Sequence, residues 1–420
     1  MEATLLEDLR RCVDLDPNWC DAFLNTQDCA FKFWQNRPFT YSRLSYELGL
    51  DSPPCKLFAK DSWSEALREE HKVHDDMQGH FGAGVLYGHQ KLDSNEFFYH
   101  PVLDITPWAV LFPPDTQYEN LPPFDRTPMV HWMLYFVVIG KPLSTAKSPR
   151  ELLGAIFHAM MAHFTMWWGY KYLHRDISTS NILITAPRRC FKEPYHPLTA
   201  PMVEKFKDKG VLCEGLLIDA DLARDINEKE VTDGEIISGT CTSLSRRLHQ
   251  ALKGYGGARV HSPVDDIESS IWVLVITLYE QADALKLVQN LDFDQRYALE
   301  AFKKGDLQDI YLTKELLVSS PNKLFPQCPP LDSFTHDILK LCGSMKGKRL
   351  LSEEEAMLVY HRYFDQTLQC LDSKDPMLAA GWKDVFSRPY IEERKPILAR
   401  KGCRPPPLPP LADIMGNSAS

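Results

Sequence analysis

The chain has 420 residues, is 44% hydrophobic and 25% charged, and carries a formal net charge of -10. That length suits one large two-lobed domain or two ordinary ones, and the acidic balance argues against nonspecific nucleic-acid binding and against an anionic membrane surface. Eleven cysteines stand singly with no C-x-x-C pair, which leaves zinc ribbons and thioredoxin-like motifs unsupported and suits reduced thiols in the cytosol or nucleus.

Residues 1–40 read as an N-terminal helical extension, with Leu5, Leu6, Leu9 and Val13 near helical spacing. The opening Met1–Asp8 lacks the basic and apolar regions of a secretory leader. From 41 to 140 short strand-like runs alternate with turns. Lys56–Lys60 is a strand candidate, and Ser64–Met77 a charged helix candidate. Met133–Ile139 is a strand dense in aromatic and β-branched residues. This run and Ile271–Leu278 are the longest apolar stretches. Both are too short to span a bilayer.

At Ser148 the pattern changes. Ser148-Pro149-Arg150-Glu151 is a capping box with proline at the first helical position. Behind it Leu153, Phe157, Met160, Met161, Phe164 and Trp168 recur at three- and four-residue steps, the buried stripe of an amphipathic helix. Gly169 is the expected stop.

The most informative stretch follows: His174-Arg175-Asp176-Ile177-Ser178-Thr179-Ser180-Asn181, then the strand-like Ile182-Leu183-Ile184. An H-R-D-x-x-x-x-N loop places a carboxylate at an acceptor hydroxyl and an amide oxygen on magnesium, as phosphoryl transfer from ATP requires. Asp176 is the catalytic candidate and Asn181 a metal ligand. His174 is expected to pack beneath the loop, and Arg175 to meet negative charge from the activation segment. Residues 186–212, rich in Pro, Lys and Arg, read as an inserted surface loop. Beyond them Leu216-Leu217-Ile218 ends in Asp219, the second metal-ligand candidate. Asp221 is its rival, or caps the next turn.

On the N-terminal side, Lys60 ends a run much like V-A-I-K, and its ammonium suits the α- and β-phosphates. Glu70 is its expected partner, because Glu70, Val73 and Met77 share a helical face, whereas Glu69 points about 100° away. The phosphate-covering loop is poor: Gly49 is the glycine available, beside two prolines. After 262 the pattern is helical to about 395. The 396–420 tail is proline-rich and expected to be disordered. Within it Arg404–Pro410 fits R-x-x-P-x-x-P, a ligand pattern of Src-homology 3 domains.

These residues resemble the eukaryotic protein kinase superfamily, and within it the fungal-type protein kinase family. The resemblance runs from about residue 45 to about 310. It is carried by Leu57–Trp63, Ile139–Leu143, His174–Asn181, Leu217–Ala223, Ser238-Gly239-Thr240 and Asp265–Leu274. It implies an α+β, bilobal protein kinase-like fold: a small β-rich N-lobe over 41–140, a larger mainly helical C-lobe over 141–395, and ATP with Mg2+ between them. It implies serine/threonine phosphorylation of a protein substrate. It further implies that Asp266 holds the catalytic loop from beneath, and that Ser238, Thr240, Thr242 and Ser243 are candidate phosphosites.

The A-P-E element of that family aligns with Ser245-Arg246-Arg247, so its glutamate and the ion pair it makes are expected to be lost. Ser178 stands where serine/threonine kinases carry a lysine. Two other readings stay open on sequence. A pseudokinase scaffold is favoured by the poor glycine loop and the missing A-P-E. A small-molecule phosphotransferase would share H-x-D-x-x-x-x-N.

Overall fold

A computed structural model describes residues 39–41, 55–65, 70–77, 79–84, 86–91, 129–136, 140–188, 198–199, 213–227, 237–254, 259–320 and 324–387. The small lobe is built on β1 (Phe39–Tyr41), β2 (Cys55–Glu65), helix α1 (Glu70–Met77), β3 (Leu86–Lys91) and β4 (Met129–Phe136). Its four strands lie in the order β1-β2-β4-β3, all antiparallel. The predicted helix from Ser64 is corrected here. Ser64 and Glu65 pair with Val130 and Met129 at the end of the β2–β4 ladder, and the described helix spans Glu70–Met77. Lys60 therefore lies in the middle of a strand rather than at its end.

The larger lobe contains β5 (Gly140–Pro142), α2 (Pro149–Tyr170), β6 (Tyr172–Leu173), β7 (Ile182–Arg188), β8 (Cys213–Leu217) and β9 (Arg224–Asp225). Helices follow: α3 (Arg246–Leu252), α4 (Pro263–Ala284), α5 (Phe293–Lys304), α6 (Leu307–Ser319), α7 (Pro329–Ser344), α8 (Glu353–Asp372), α9 (Pro376–Ala379) and α10 (Trp382–Ser387). The architecture is mixed α+β and bilobal, of the protein kinase-like type. Of the inserted 186–212 loop, the first residues continue β7, and most of the rest lies outside the described residues. The 1–40 and 396–420 expectations also lie outside them, β1 apart.

The core sits between α2 and α4. Ser148 caps α2 as its sequence indicates: its side chain accepts from Glu151 N at 3.2 Å, with Pro149 at the first position. The stop differs. The helix runs past Gly169 to Tyr170 and ends on Lys171 in the left-handed conformation, φ 61°. The amide of Lys171 satisfies the Met166 and Trp167 carbonyls, so the cap needs no glycine. Phe157, Phe164, Trp167, Trp272, Tyr360 and Phe364 are fully buried, and edge-on ring contacts join α2 to α8. Hairpin β7–β8 lies across α2 backbone to backbone. A Cβ on Gly215 would fall 2.0 Å from the Ala155 carbonyl oxygen, so no side chain fits at this crossing.

Candidate active site

The segment after β6 enters the site through two buried residues. His174 is 1% exposed, and its Nε2 donates to the Ile218 carbonyl at 3.0 Å. Its Nδ1 then accepts the Asp176 amide at 3.3 Å. Burial lowers its pKa despite nearby Asp266, so the ring is neutral in this role. Arg175 is in the left-handed region, φ 70°, and its amide donates to Asp266 Oδ2 at 3.1 Å. A non-glycine residue held there stores strain of about 1–3 kcal/mol.

Asp266 lies in the first turns of α4 and is 1% exposed. His163 of α2 donates to its Oδ2 at 2.7 Å, and His261 to its Oδ1 at 2.8 Å. Tyr360 lies 2.5 Å from the other His163 nitrogen. Burial opposes charge on Asp266, but His261 and His163 overcome it and hold the carboxyl well below the usual range. Asp266 is thus a buried member of the first turn of α4, not a solvent-facing one. His163, His261 and Tyr360 were not singled out on sequence, because the three elements meet only in the fold.

Asp176 is oriented from both sides. Asn181 Nδ2 donates to its Oδ2 and to its backbone oxygen, each at 2.9 Å. Thr240 donates to its Oδ1 through both backbone N–H and hydroxyl. Asn181 thereby turns its amide nitrogen inward, and Ser180 Oγ contacts its Oδ1 at 3.3 Å. Gly239 makes the approach of the two segments geometrically feasible. Its φ is +122°, and a Cβ there would lie 2.8 Å from the Arg175 carbonyl oxygen.

Across the cleft, Lys60 is 5% exposed. Its ammonium bonds both oxygens of Glu70 at 2.7 Å and Asp219 Oδ1 at 2.5 Å. Burial works against the charged amine, but Glu70, Asp219 and Asp221 outweigh it and hold the pKa above the ordinary lysine value. Glu70 is buried, yet Lys60 and His74 keep it ionised, well below its usual range. It also accepts the Ala220 amide at 3.2 Å. Asp219 takes the left-handed conformation, φ 67°, at the end of β8. Its neighbour Ile218 donates its amide to the Asn181 oxygen at 3.0 Å and accepts from His174. These bonds tie Asp219 to the catalytic loop. Asp221 is pushed up to about 7 by burial and by Asp219 and Glu70.

The C-terminal end of the activation segment departs from expectation. The aligned glutamate is absent, but ion pairs of reversed polarity take its place. Arg246 Nε meets Glu268 Oε1 at 2.7 Å, and Arg247 pairs with Asp265 through Nε at 3.0 Å and through Nη2. Ser243 is 2% exposed with its hydroxyl on the Thr240 carbonyl, and Thr240 is committed to Asp176. Gly49 and Arg404–Pro410 lie outside the described residues. Among the described residues no helix is long and apolar enough to cross a membrane.

The model of the fungal protein kinase family matches residues 51–278, more than half of the chain. No curated protein gives a significant match.

Proposed function

The chain belongs to the fungal protein kinase family, and from that premise we propose that it transfers the γ-phosphate of ATP to serine or threonine hydroxyls of a protein substrate. It is a protein kinase-like phosphotransferase by family and fold. The observation that carries the finer reading is the pairing of two assemblies around one cleft. Lys60, Glu70 and Asp219 form one, and Asp176, Asn181 and Thr240 the other. The bonds of Ile218 to His174 and Asn181 join them.

Asp176 is the group that accepts the hydrogen bond of the acceptor hydroxyl and aims its oxygen in line at phosphorus. Its carboxylate already receives a threonine hydroxyl at 2.8 Å, which is the contact an acceptor side chain needs. Lys60, fixed by Glu70, offsets the charge of the α- and β-phosphates. Asn181 Oδ1 and the Asp219 carboxylate are hard oxygen donors, the type that Mg2+ takes. Among the described residues no three His, Cys, Asp or Glu side chains are grouped to hold a metal by themselves. That suits an ion that draws most of its ligands from water and phosphate. When bound, magnesium would neutralise charge developing on the transferred group. Arg175, through its amide on Asp266, and His174, through its ring on the Ile218 carbonyl and the Asp176 amide, act by placing the loop.

The test is transfer of labelled phosphate from ATP to generic acceptor proteins by the purified chain, run beside Asp219→Asn. Incorporation by the parent and its loss in the variant is the expected result. Equal incorporation by both, or label entering metabolites rather than protein, overturns the reading.

A further inference from the structure

The first six residues of α4 carry three buried carboxylates, each 3% exposed or less: Asp265, Asp266 and Glu268. They hold different parts of the molecule. Asp266 holds the catalytic loop. Asp265 takes Ser245 Oγ at 2.6 Å and the Arg247 guanidinium. Glu268 takes the Arg246 backbone amide at 3.0 Å, its Nε at 2.7 Å and Trp272 Nε1 at 3.0 Å. Arg247 reaches further, to the Lys348 and Arg349 carbonyls at 3.2 and 3.1 Å. Arg246 Nη2 bonds the Leu339 carbonyl at 2.5 Å.

Immediately before these arginines the chain is a tight turn. Ser243 and Leu244 amides bond the Thr240 carbonyl at 3.1 and 2.9 Å. Lys314 of α6, fully buried and 4.9 Å above the Trp272 ring, caps the turn by donating to the Leu244 carbonyl at 2.6 Å. The other end of the turn is Thr240, bonded to Asp176. Buried ion pairs contribute little net stability compared with apolar packing, but they fix direction through paired hydrogen bonds.

We propose that Arg246 and Arg247 are positioning residues of the reaction: through Glu268 and Asp265 they lock the turn that holds Thr240 against Asp176. The same helix end that carries the catalytic loop then also carries the acceptor-facing segment. The kinetic part of this inference rests on the kinase reading above; its structural part does not.

The experiment uses the full chain with Arg247→Met, Arg247→Lys and Glu268→Gln. Amide exchange is followed at Thr240, Ser243 and Leu244, with Leu216 and Leu217 as the internal reference. Nucleotide affinity, acceptor KM and kcat are measured on the same samples. In Arg247→Met and Glu268→Gln the three segment amides lose protection, the reference amides keep theirs, and nucleotide affinity holds. With the acceptor misplaced by about 1 Å, kcat falls by roughly 10-fold or more. Arg247→Lys keeps the charge and recovers part of kcat. Should Arg247→Met fail to fold, Glu268→Gln, which preserves shape and removes one charge, supplies the same readings. Unchanged protection at Thr240 and Leu244 overturns the proposal, and so does a kcat loss matched by equal loss of nucleotide affinity. If the parent transfers no phosphate, the function reading fails, and the exchange measurement still decides this one.

Discussion

Thr240 donates both its backbone N–H, at 2.7 Å, and its hydroxyl, at 2.8 Å, to a single oxygen of Asp176, 64 positions earlier in the chain. One oxygen of the carboxylate is thus directed by the activation segment, and the other by Asn181.

The hydroxyl part of that contact is separable. Thr240→Val keeps the backbone donor and loses the side-chain one, whereas Thr240→Ser keeps both. A hydrogen bond to a charged group contributes about 1.5–3 kcal/mol. Thr240→Val is expected to lower kcat by roughly 10-fold to 100-fold, with Thr240→Ser close to the parent. Steady-state phosphate transfer to a protein acceptor measures it; equal rates for all three remove Thr240 from the site.

Under the proposed function, Asp176→Ala removes the group assigned to orient the acceptor. Phosphate transfer should fall by about 100-fold to 10,000-fold, the span of general-base contributions. Nucleotide affinity should hold, because the Lys60–Glu70 pair is untouched. Calorimetric titration with ATP and magnesium beside the transfer assay checks both halves.

Lys60→Met leaves Glu70, 2% exposed at its side chain, facing Asp219 without the shared cation. Breaking a buried pair on one side costs about 3–5 kcal/mol. Denaturant unfolding should show a loss of that order, and nucleotide binding should weaken with it. Lys60→Arg is not expected to rescue either, since a planar fork cannot replace a point ammonium between two carboxylates. A variant as stable as the parent would show that the pair carries no such constraint.

His158 gives a pH signature. Its Nδ1 accepts the Glu214 amide at 3.1 Å, and burial pushes its pKa from 6.5 down to about 3. Above pH 6.5 the ring is neutral in both folded and unfolded chains and contributes no slope. Between pH 6.5 and about 3 the unfolded chain binds the proton and the folded chain does not. Stability therefore falls with falling pH, by up to about 1.4 kcal/mol per unit from this group. In His158→Asn that part of the acid slope should vanish. Unfolding free energies from pH 7 to pH 4 provide the comparison.

The sequence made these two positions readable because a fixed eight-residue spacing dictates them: the Asp176 carboxylate and the Asn181 amide sit on one short loop and bond each other. Glu70 was legible because helical geometry puts it on the buried face with Val73 and Met77. The first two residues of the predicted charged helix belong to β2 instead. Ser64 and Glu65 have no strand signal of their own, and a ladder partner 64 or more positions away decides them. The same distance hid His163 and His261, which reach Asp266 from α2 and from the segment before α4. It also hid the ion pairs at Arg246 and Arg247. A motif comparison registers a missing glutamate, but it cannot register that the opposite charge has moved to a helix behind it.

At Gly215 the hairpin bearing Asp219 meets α2 with no side chain between the two backbones. Where two chains touch at that range there is no layer of rotamers to absorb a displacement. The hairpin and the long helix therefore travel as one body.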